Sequence, residues 1–214
     1  MNRTEHLNRP SCWNGKVLEA YFHHIEHNDI FSCIKGKKVL EIGTAEGLFW
    51  ETYNKYDPLS VTGLDPDDRW TLIDDVKDSD IIRESYLSYL PTTDYDVIIC
   101  FGLIYKLHSP IHLLELIASS KIEYIVLEDL GLMDQDPCEL YLAGQHGSLG
   151  ELLVYNDVHS RYVSALSGNA IVDIMEDMSY TLEKQTEYIE YAGDPDNYIK
   201  SAKASTLQFV FKRK

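Results

Sequence analysis

The sequence predicts an α/β fold, a mostly parallel sheet with helices on both faces, and three stretches carry that prediction. Residues 39 to 47, Val-Leu-Glu-Ile-Gly-Thr-Ala-Glu-Gly, read as an apolar strand running into a Gly-containing turn. Eighteen residues past Gly47, a second apolar run ends in Leu64-Asp65-Pro66. Asp96 to Phe101 is a continuous apolar run, too short for a helix and rich in β-branched residues, as expected of a strand buried on both faces. Strands alternating with helical patterns in this way build parallel sheets.

Taken in chain order, Gly15 to about Ile34 is expected to be a leading helix, with Leu18, Phe22 and Ile25 on one side. Lys38 to Gly43 is the first strand, and a helix follows from about Glu46 to Tyr56. Asp57-Pro58 breaks that helix, Ser60 to Asp65 is the second strand, and Asp67 to Val76 reads as helical. Ile81-Ile82 begin a short third strand that ends near Glu84-Ser85. After the Asp96 to Phe101 strand, Ser109 is placed to cap a helix and Pro110 suits its first position. Leu113, Leu114 and Ile117 then recur with helical spacing.

Glu123 to Glu128 is the fifth strand. Leu130 to about Val163 carries several glycines, Asp136-Pro137 and few periodic apolar positions, and it is longer than a simple connection. It is expected to be a lid or substrate-binding insert. Ala165 to Met178 fits another helix, Tyr180 to Tyr191 an extended segment, and Gly193 to Asn197 a turn-rich loop with no assigned role. Ser205 to Phe211 is the final strand, Thr206 and Gln208 alternating with Leu207 and Phe209. With 44% hydrophobic residues in 214, one domain over residues 1–214 is expected, with 1–37 as a helical lead and 130–163 as the insert.

An apolar strand, a Gly turn, a helix and a second strand ending in a carboxylate form a crevice for a nucleotide-bearing cofactor. Gly43 and Gly47 remove side chains that would keep a ligand from the backbone, and the next helix starts with its N–H groups toward that ligand. Glu41 sits near the strand end, where a carboxylate meets a cationic amino-acid group or supports the turn. Asp65 is placed to accept two hydrogen bonds from a ribose diol. The dinucleotide pattern wants three glycines; here the middle place is Ala45, which favours a cofactor without a pyrophosphate.

Glu41-x-Gly43-x-x-x-Gly47 followed by Asp65 resembles the class I S-adenosylmethionine-dependent methyltransferases. Leu90-Pro91, Tyr95-Asp96-Val97, Gly102-Leu103-Ile104-Tyr105, Ser109-Pro110 and the closing Leu-rich helix are similar to the fourth motif of that superfamily. More narrowly, they are similar to the tRNA wobble-uridine carboxymethyltransferase family. Leu64-Asp65-Pro66, Trp50 and Ser164-Ala165-Leu166 continue the match, which covers roughly residues 13 to 214. The resemblance implies a Rossmann-like seven-stranded sheet closed by a hairpin whose last strand is antiparallel, and S-adenosyl-L-methionine as cofactor. It implies a pocket of Glu41, Gly43, Thr44, Ala45, Gly47, Asp65 and Pro66, with Ser85 and Tyr86 beside the adenine. Phe101, Gly102 and Leu103 would pass under the methionine part.

Tyr105 and His108 stand on the motif-four loop, where side chains reach the methyl acceptor, and His108 is the expected proton acceptor. Two departures matter. Lys106 stands where the carboxymethyltransferases have a histidine, and Ala204 and Ser205 precede the last strand, where no basic residue offers to hold a carboxylated cofactor. Plain S-adenosylmethionine is therefore the expected donor.

Nineteen basic and thirty-five acidic residues give a net charge of −16, spread along the chain. Such a surface repels phosphate backbones and argues against duplex nucleic acid as a partner. Cys12, Cys33, Cys100 and Cys138 are scattered without a Cys-x-x-Cys pair, and neither a signal peptide nor an apolar stretch of membrane-spanning length is seen. A cytoplasmic protein with reduced thiols and no membrane partner is expected. His23 and His27, and likewise His108 and His112, stand one helical turn apart, but they lack an intervening Glu or a Cys cluster and read as surface histidines. Asp129, Asp134, Asp136 and His146 would be the candidates for a divalent cation; no metal is expected.

Glu128 and Asp129, at the end of the fifth strand, either steady a cationic acceptor or cap a loop. The function expected is methyl transfer to a small or medium-sized polar acceptor. One alternative is an RNA-modifying (carboxy)methyltransferase using Lys35, Lys37, Lys38 and Lys212-Arg213-Lys214 as a local basic face. The other is a cofactor-binding regulator without turnover, the insert serving as its partner surface.

Overall fold

The structure, a computed structural model, describes residues 15–68, 72, 76–90, 94–107, 109–132, 140–144, 162–188 and 204–214. Its strands are β1 (Lys38–Ile42), β2 (Ser60–Leu64), β3 (Ile81–Ile82), β4 (Val97–Cys100), β5 (Tyr124–Leu132), β6 (Leu140–Gly144), β7 (Tyr162–Leu166), β8 (Tyr180–Tyr188) and β9 (Ala204–Arg213). Its helices are α1 (Gly15–His27), α2 (Trp50–Asn54), α3 (Tyr86–Tyr89), α4 (Pro110–Ser119) and α5 (Gly168–Asp177). Seven strands form one sheet in the order β3-β2-β1-β4-β5-β9-β8, and β6 and β7 pair apart as an antiparallel ribbon. β1 to β5 are parallel, while β9 is antiparallel to both β5 and β8. β8 thus runs with β5, and β9 is the antiparallel strand that the resemblance implies.

Alternation along the strands sorts the core into two layers. Leu40, Ile42, Ile98, Cys100, Ile125, Leu127, Phe209 and Phe211 point to one face, where α4 adds Leu113, Leu114 and Ile117 and α5 adds Ala170, Ile171 and Met175. Val39, Val97, Ile99, Phe101, Val126 and Val210 point to the other, against Tyr21, Phe22 and Ile25 of α1 and the Ile30, Phe31 and Ile34 that follow it. Both faces being covered explains why β4 reads as an unbroken apolar run. Each fully buried aliphatic side chain contributes about 1.5–3 kcal/mol relative to exposure. Among the described residues no helix is long and apolar enough to cross a membrane.

Several boundaries differ from the sequence reading, each for a local reason. The leading helix stops at His27 instead of running to Ile34; Asp29 takes a positive φ of 54°, and only a 3-10 turn at Ser32–Ile34 follows. Asn28 contributes to that stop, its side chain donating to the His24 carbonyl at 2.8 Å. Lys184 on β8 then donates to the carbonyls of Asn28 and Asp29 at 2.7 and 3.1 Å. The helix expected from Glu46 begins at Trp50, because Ala45 and Gly47 have φ of 46° and 80°, outside the helical region. Of the helix expected over Asp67 to Val76, the described residues Asp67, Asp68, Leu72 and Val76 are not helical.

The helix expected from Ala165 begins instead at Gly168. Tyr162–Leu166 is strand β7, and the Ser167 side chain accepts from the Ala170 N–H at 3.1 Å to start α5. The insert is likewise less irregular than its composition suggests: β5 runs on to Leu132, and β6 and β7 fall inside or at the end of it. β7 lies against β5 and against the 3-10 turn at Ile104–Lys106. Residues 133–139 and 145–161, and the loop at Gly193 to Asn197, lie outside the described residues.

Ser167→Ala should cost about 1 kcal/mol, the usual worth of an N-cap hydroxyl. Urea unfolding should show a lower midpoint at an unchanged slope; an unchanged midpoint would mean that the cap does not hold α5.

Candidate functional site

Strand register puts six residues in one row across the sheet, just past the ends of β2, β1 and β4 and within β5, β9 and β8. Ile42 pairs with Leu64 and with Cys100, Cys100 with Leu127, Glu128 with Gln208, and Gln208 with Thr186. One step on from the first of these pairs, Asp65, Gly43, Phe101 and Glu128 stand abreast, and Gln208 and Thr186 continue the row. Leu64, Ile42, Cys100 and Leu127 face α4 and α5, so alternation turns this next row toward the α1 side. Parallel α/β sheets bind their ligands at this edge.

At one end of the row, two acids shape the first turn. Glu41 is 3% exposed and accepts hydrogen bonds from the Thr44 hydroxyl, from Trp50 Nε1 at 2.7 Å and from the Tyr53 hydroxyl at 2.7 Å. Burial pushes the Glu41 carboxyl above its ordinary pKa, against the pull of those three donors. Of the two roles open to Glu41, the structure shows the support of the turn. Asp65 Oδ2 accepts from the Ala45 N–H and Oδ1 from the Asp67 N–H, both at 2.9 Å. The first bond holds Ala45 in a left-handed conformation that few L-residues adopt.

Gly43 has φ 78°, and a Cβ there would stand 3.3 Å from Leu103 Cδ2, so the turns after β1 and β4 touch. A Cβ on Gly47 would come within 2.4 Å of Val76 Cγ2. Gly102, at φ 65°, has the Tyr105 hydroxyl 3.7 Å from where its Cβ would be. Phe101 is buried against the rings of Phe31 and Phe49, with centroids 5.4 and 5.3 Å away. Leu103 and Tyr105 are half-buried, and Pro66 is exposed. Ser85 caps α3 by accepting from the Leu87 N–H at 3.3 Å, and burial raises the Tyr86 phenol.

His108, Asp134, Asp136 and His146 lie outside the described residues, as does the side chain of Lys106. His23 and His27 are exposed, their ring centroids 6.1 Å apart. His112 faces Glu115 across 3.7 Å. Among the described residues no group of three His, Cys, Asp or Glu is arranged to hold a metal ion.

The other end of the row holds a polar network that the sequence reading missed, although it singled out Glu128. Glu128 is 7% exposed, and burial pushes its carboxyl up to about 8, opposed by a hydrogen bond from Gln208 Nε2 to Oε2 at 3.2 Å. Gln208 has no exposed surface; its Oε1 meets the Thr186 hydroxyl at 2.9 Å and His24 Nε2 at 3.2 Å. Asn28 Nδ2 donates to His24 Nδ1 at 3.2 Å, which assigns the ring proton to Nε2. Burial, the largest cause, lowers the His24 pKa. The signal was present in β9: a Thr and a Gln on one side of a strand whose opposite side is Leu, Phe and Phe.

Residues 27–185 match the family described as "Methyltransferase domain". Solved structures share the fold at low identity. An S-adenosylmethionine-dependent methyltransferase from Mesorhizobium loti superposes with a TM-score of 0.57 at 12% identity, covering 84% of this chain and 92% of that one. Magnesium protoporphyrin IX methyltransferase (ChlM) from Synechocystis with bound S-adenosylhomocysteine gives 0.61 at 10% identity, covering 99% and 93%. The N-methyltransferase NodS from Bradyrhizobium japonicum, also with S-adenosylhomocysteine, gives 0.58 at 12% identity, covering 99% and 96%. No curated protein matches the sequence.

The turn geometry makes Gly47 and Ala45 respond oppositely to exchange. Gly47→Ala forces a Cβ into Val76 at positive φ and should cost about 2 kcal/mol or more, whereas Ala45→Gly relieves a left-handed residue and should be neutral or stabilising. Chemical denaturation of both variants checks this, and equal losses would contradict it.

Glu128 should also tilt the dependence of stability on pH. Its folded pKa of about 8 lies above the ordinary 4.5, so between those values the folded state holds a proton that the unfolded state has released. Stability contributed by this group is full below about pH 4.5 and falls as pH rises toward 8. Glu128→Gln should therefore gain on wild type between pH 5 and pH 8 by an amount on the order of a few kcal/mol. Parallel melting curves across that range would contradict the assignment.

Proposed function

The chain belongs to the methyltransferase-domain family and is an S-adenosylmethionine-dependent methyltransferase, and from that premise we propose that it methylates a small or medium-sized polar acceptor at the carboxyl edge of its sheet. The observation that carries this reading is the row of Asp65, Gly43 and Phe101 beneath two glycine turns that touch through Leu103. When bound, the cofactor supplies a sulfonium methyl carbon open to attack by a nucleophile held in line. The Asp65 carboxylate retains lone-pair capacity beyond its bonds to Ala45 and Asp67, so it would hold the ribose diol. Ser85 and Tyr86 would flank the adenine. Gly43 and Gly102 leave room for the methionine part, and Phe101 and Leu103 would exclude water beneath it.

On the acceptor side we assign Tyr105 and His108 to contact the substrate and the arm carrying β6 and β7 to cover it, because β7 adjoins the Ile104–Lys106 turn. The names of two fold neighbours, a magnesium protoporphyrin IX methyltransferase and an N-methyltransferase, support acceptors of this size. Plain S-adenosylmethionine is the donor; Ala204 and Ser205 offer no cation for a carboxylated relative. A single cytoplasmic domain with reduced thiols completes the reading, and burial pushing the Cys33 thiol up to about 12 keeps that thiol unreactive.

Transfer to RNA is a second reading, favoured by the motif resemblance to the wobble-uridine enzymes. The placement of the lysines opposes it. Lys37 and Lys38 at the start of β1, and Lys212 to Lys214 at the end of antiparallel β9, gather at the amino edge of the sheet, opposite the row. Lys37 is already bridged to Glu123, and Lys38 to Asp94 at 3.3 Å.

Titration calorimetry with S-adenosylhomocysteine should show micromolar binding, and Asp65→Ala should weaken it by about 1–3 kcal/mol through unpaired ribose hydroxyls. Equal affinity in a folded Asp65→Ala variant would remove Asp65 from the pocket. No binding to the wild type would remove the reading itself.

A further inference from the structure

We propose that Glu128 is the proton acceptor of an acceptor subsite built for an amine, set beside the cofactor row by the register of β4 and β5. This rests on the reading just given, which places the cofactor at Asp65, Gly43 and Phe101. Glu128 is the next member of that row, two strand spacings from Gly43, or roughly 10 Å. It faces the α1 side, as Phe101 does.

Stability alone does not account for a carboxyl at this point. Val97, Ile99 and Val126 line the α1 face of β4 and β5 beside it, and burying an ionisable group next to them costs more than burying a leucine. Among the described residues, the side chains that meet Glu128 or its network supply no cation. β4 brings Phe101, β9 the neutral Gln208, β8 Thr186, and α1 His24, which burial keeps in its neutral form. Burial dominates the upward shift of Glu128, and among the described residues no cation pulls it back. The group is therefore a carboxyl awaiting a positive charge. Glu128 keeps 7% of its surface exposed, where Gln208 behind it has none.

The network suits a carboxylate once that charge arrives. Gln208 Oε1 is occupied by Thr186 and His24, so its Nε2 is directed at Glu128 Oε2 and stabilises the ionised form. An alcohol is far too weak an acid for such a base. An alkylammonium, with a pKa near 10, lies within about two units of it. A carboxylate acceptor would enter a chain of net charge −16, which opposes it.

The step balances as follows. The ammonium gives one proton to the Glu128 carboxylate, and the freed nitrogen lone pair attacks the sulfonium methyl carbon. The new N–CH3 bond forms as the C–S bond breaks, its electron pair staying on sulfur to give neutral S-adenosylhomocysteine. The product is a methylated ammonium, and Glu128 returns its proton to water.

The test needs no knowledge of the acceptor. Sinefungin, the cofactor analogue that carries an amine in place of the transferable methyl, and S-adenosylhomocysteine are titrated at pH 7.5 in buffers of different ionisation enthalpy. At that pH a group with a pKa of about 8 is about three-quarters protonated, so sinefungin should release up to about three-quarters of a proton from the wild type, and S-adenosylhomocysteine close to none. In Glu128→Gln the release should vanish and sinefungin should lose about tenfold in affinity relative to S-adenosylhomocysteine. If both ligands bind but no proton is released, or the release persists in Glu128→Gln, the inference is overturned while the cofactor site stands. If S-adenosylhomocysteine does not bind folded wild type, the proposed function falls and the inference with it. Should Glu128→Gln fail to fold, the wild-type proton count decides alone.

Discussion

A single buried carboxylate, Glu41, holds the crevice in shape. Its partners come from two separate pieces of the chain: Thr44 in the turn, and Trp50 and Tyr53 on α2. Leaving that charge without its donors would cost several kcal/mol, so β1, the turn and the helix are coupled as one unit. Asp65 completes the unit from the neighbouring strand by holding the Ala45 N–H. Residues 43 to 49 are thereby kept out of a helix, and their backbone stays open to a ligand. The site is organised before anything binds, which lowers the entropic cost of binding.

This division of labour explains what could be read from the sequence. The positions of Gly43, Gly47 and Asp65 in one unit were legible because they depend on local conformation and on a spacing set by a strand-turn-helix-strand unit. The start of α2 was not, since apolar periodicity carries no mark for the positive φ of Ala45 and Gly47. Asn28 and Asp29 ended α1 through a side-chain bond and a left-handed residue that periodicity also ignores. Ala165 and Leu166, the end of β7, were read as the start of a helix, whereas Ser167 just beyond them is the true cap. The Glu128 network was out of reach for a different reason: Gln208 and His24 are 184 residues apart and meet only when β9 docks between β5 and β8 beneath α1.

The two ends of the row differ in their electrostatics. Glu41 and Asp65 have donors within the fold that hold each carboxylate in place. Glu128 has one neutral amide and, among the described residues, no cation. Lys37 and Lys38 lie at the opposite edge of the sheet, paired with Glu123 and Asp94. A chain of net charge −16 is suited to cationic partners, and the sulfonium of the cofactor is the first of them.

The central claim is that the row of Asp65, Gly43 and Phe101 is the cofactor site. A crystal structure with S-adenosylhomocysteine tests it most directly. The account predicts the ribose hydroxyls within hydrogen-bond distance of Asp65, the Ala45 and Asp67 N–H bonds to that carboxylate preserved, and the methionine part above Gly43 and Gly102. A ligand seated elsewhere, or an Asp65 that touches only its own backbone while the ligand is bound, would contradict it.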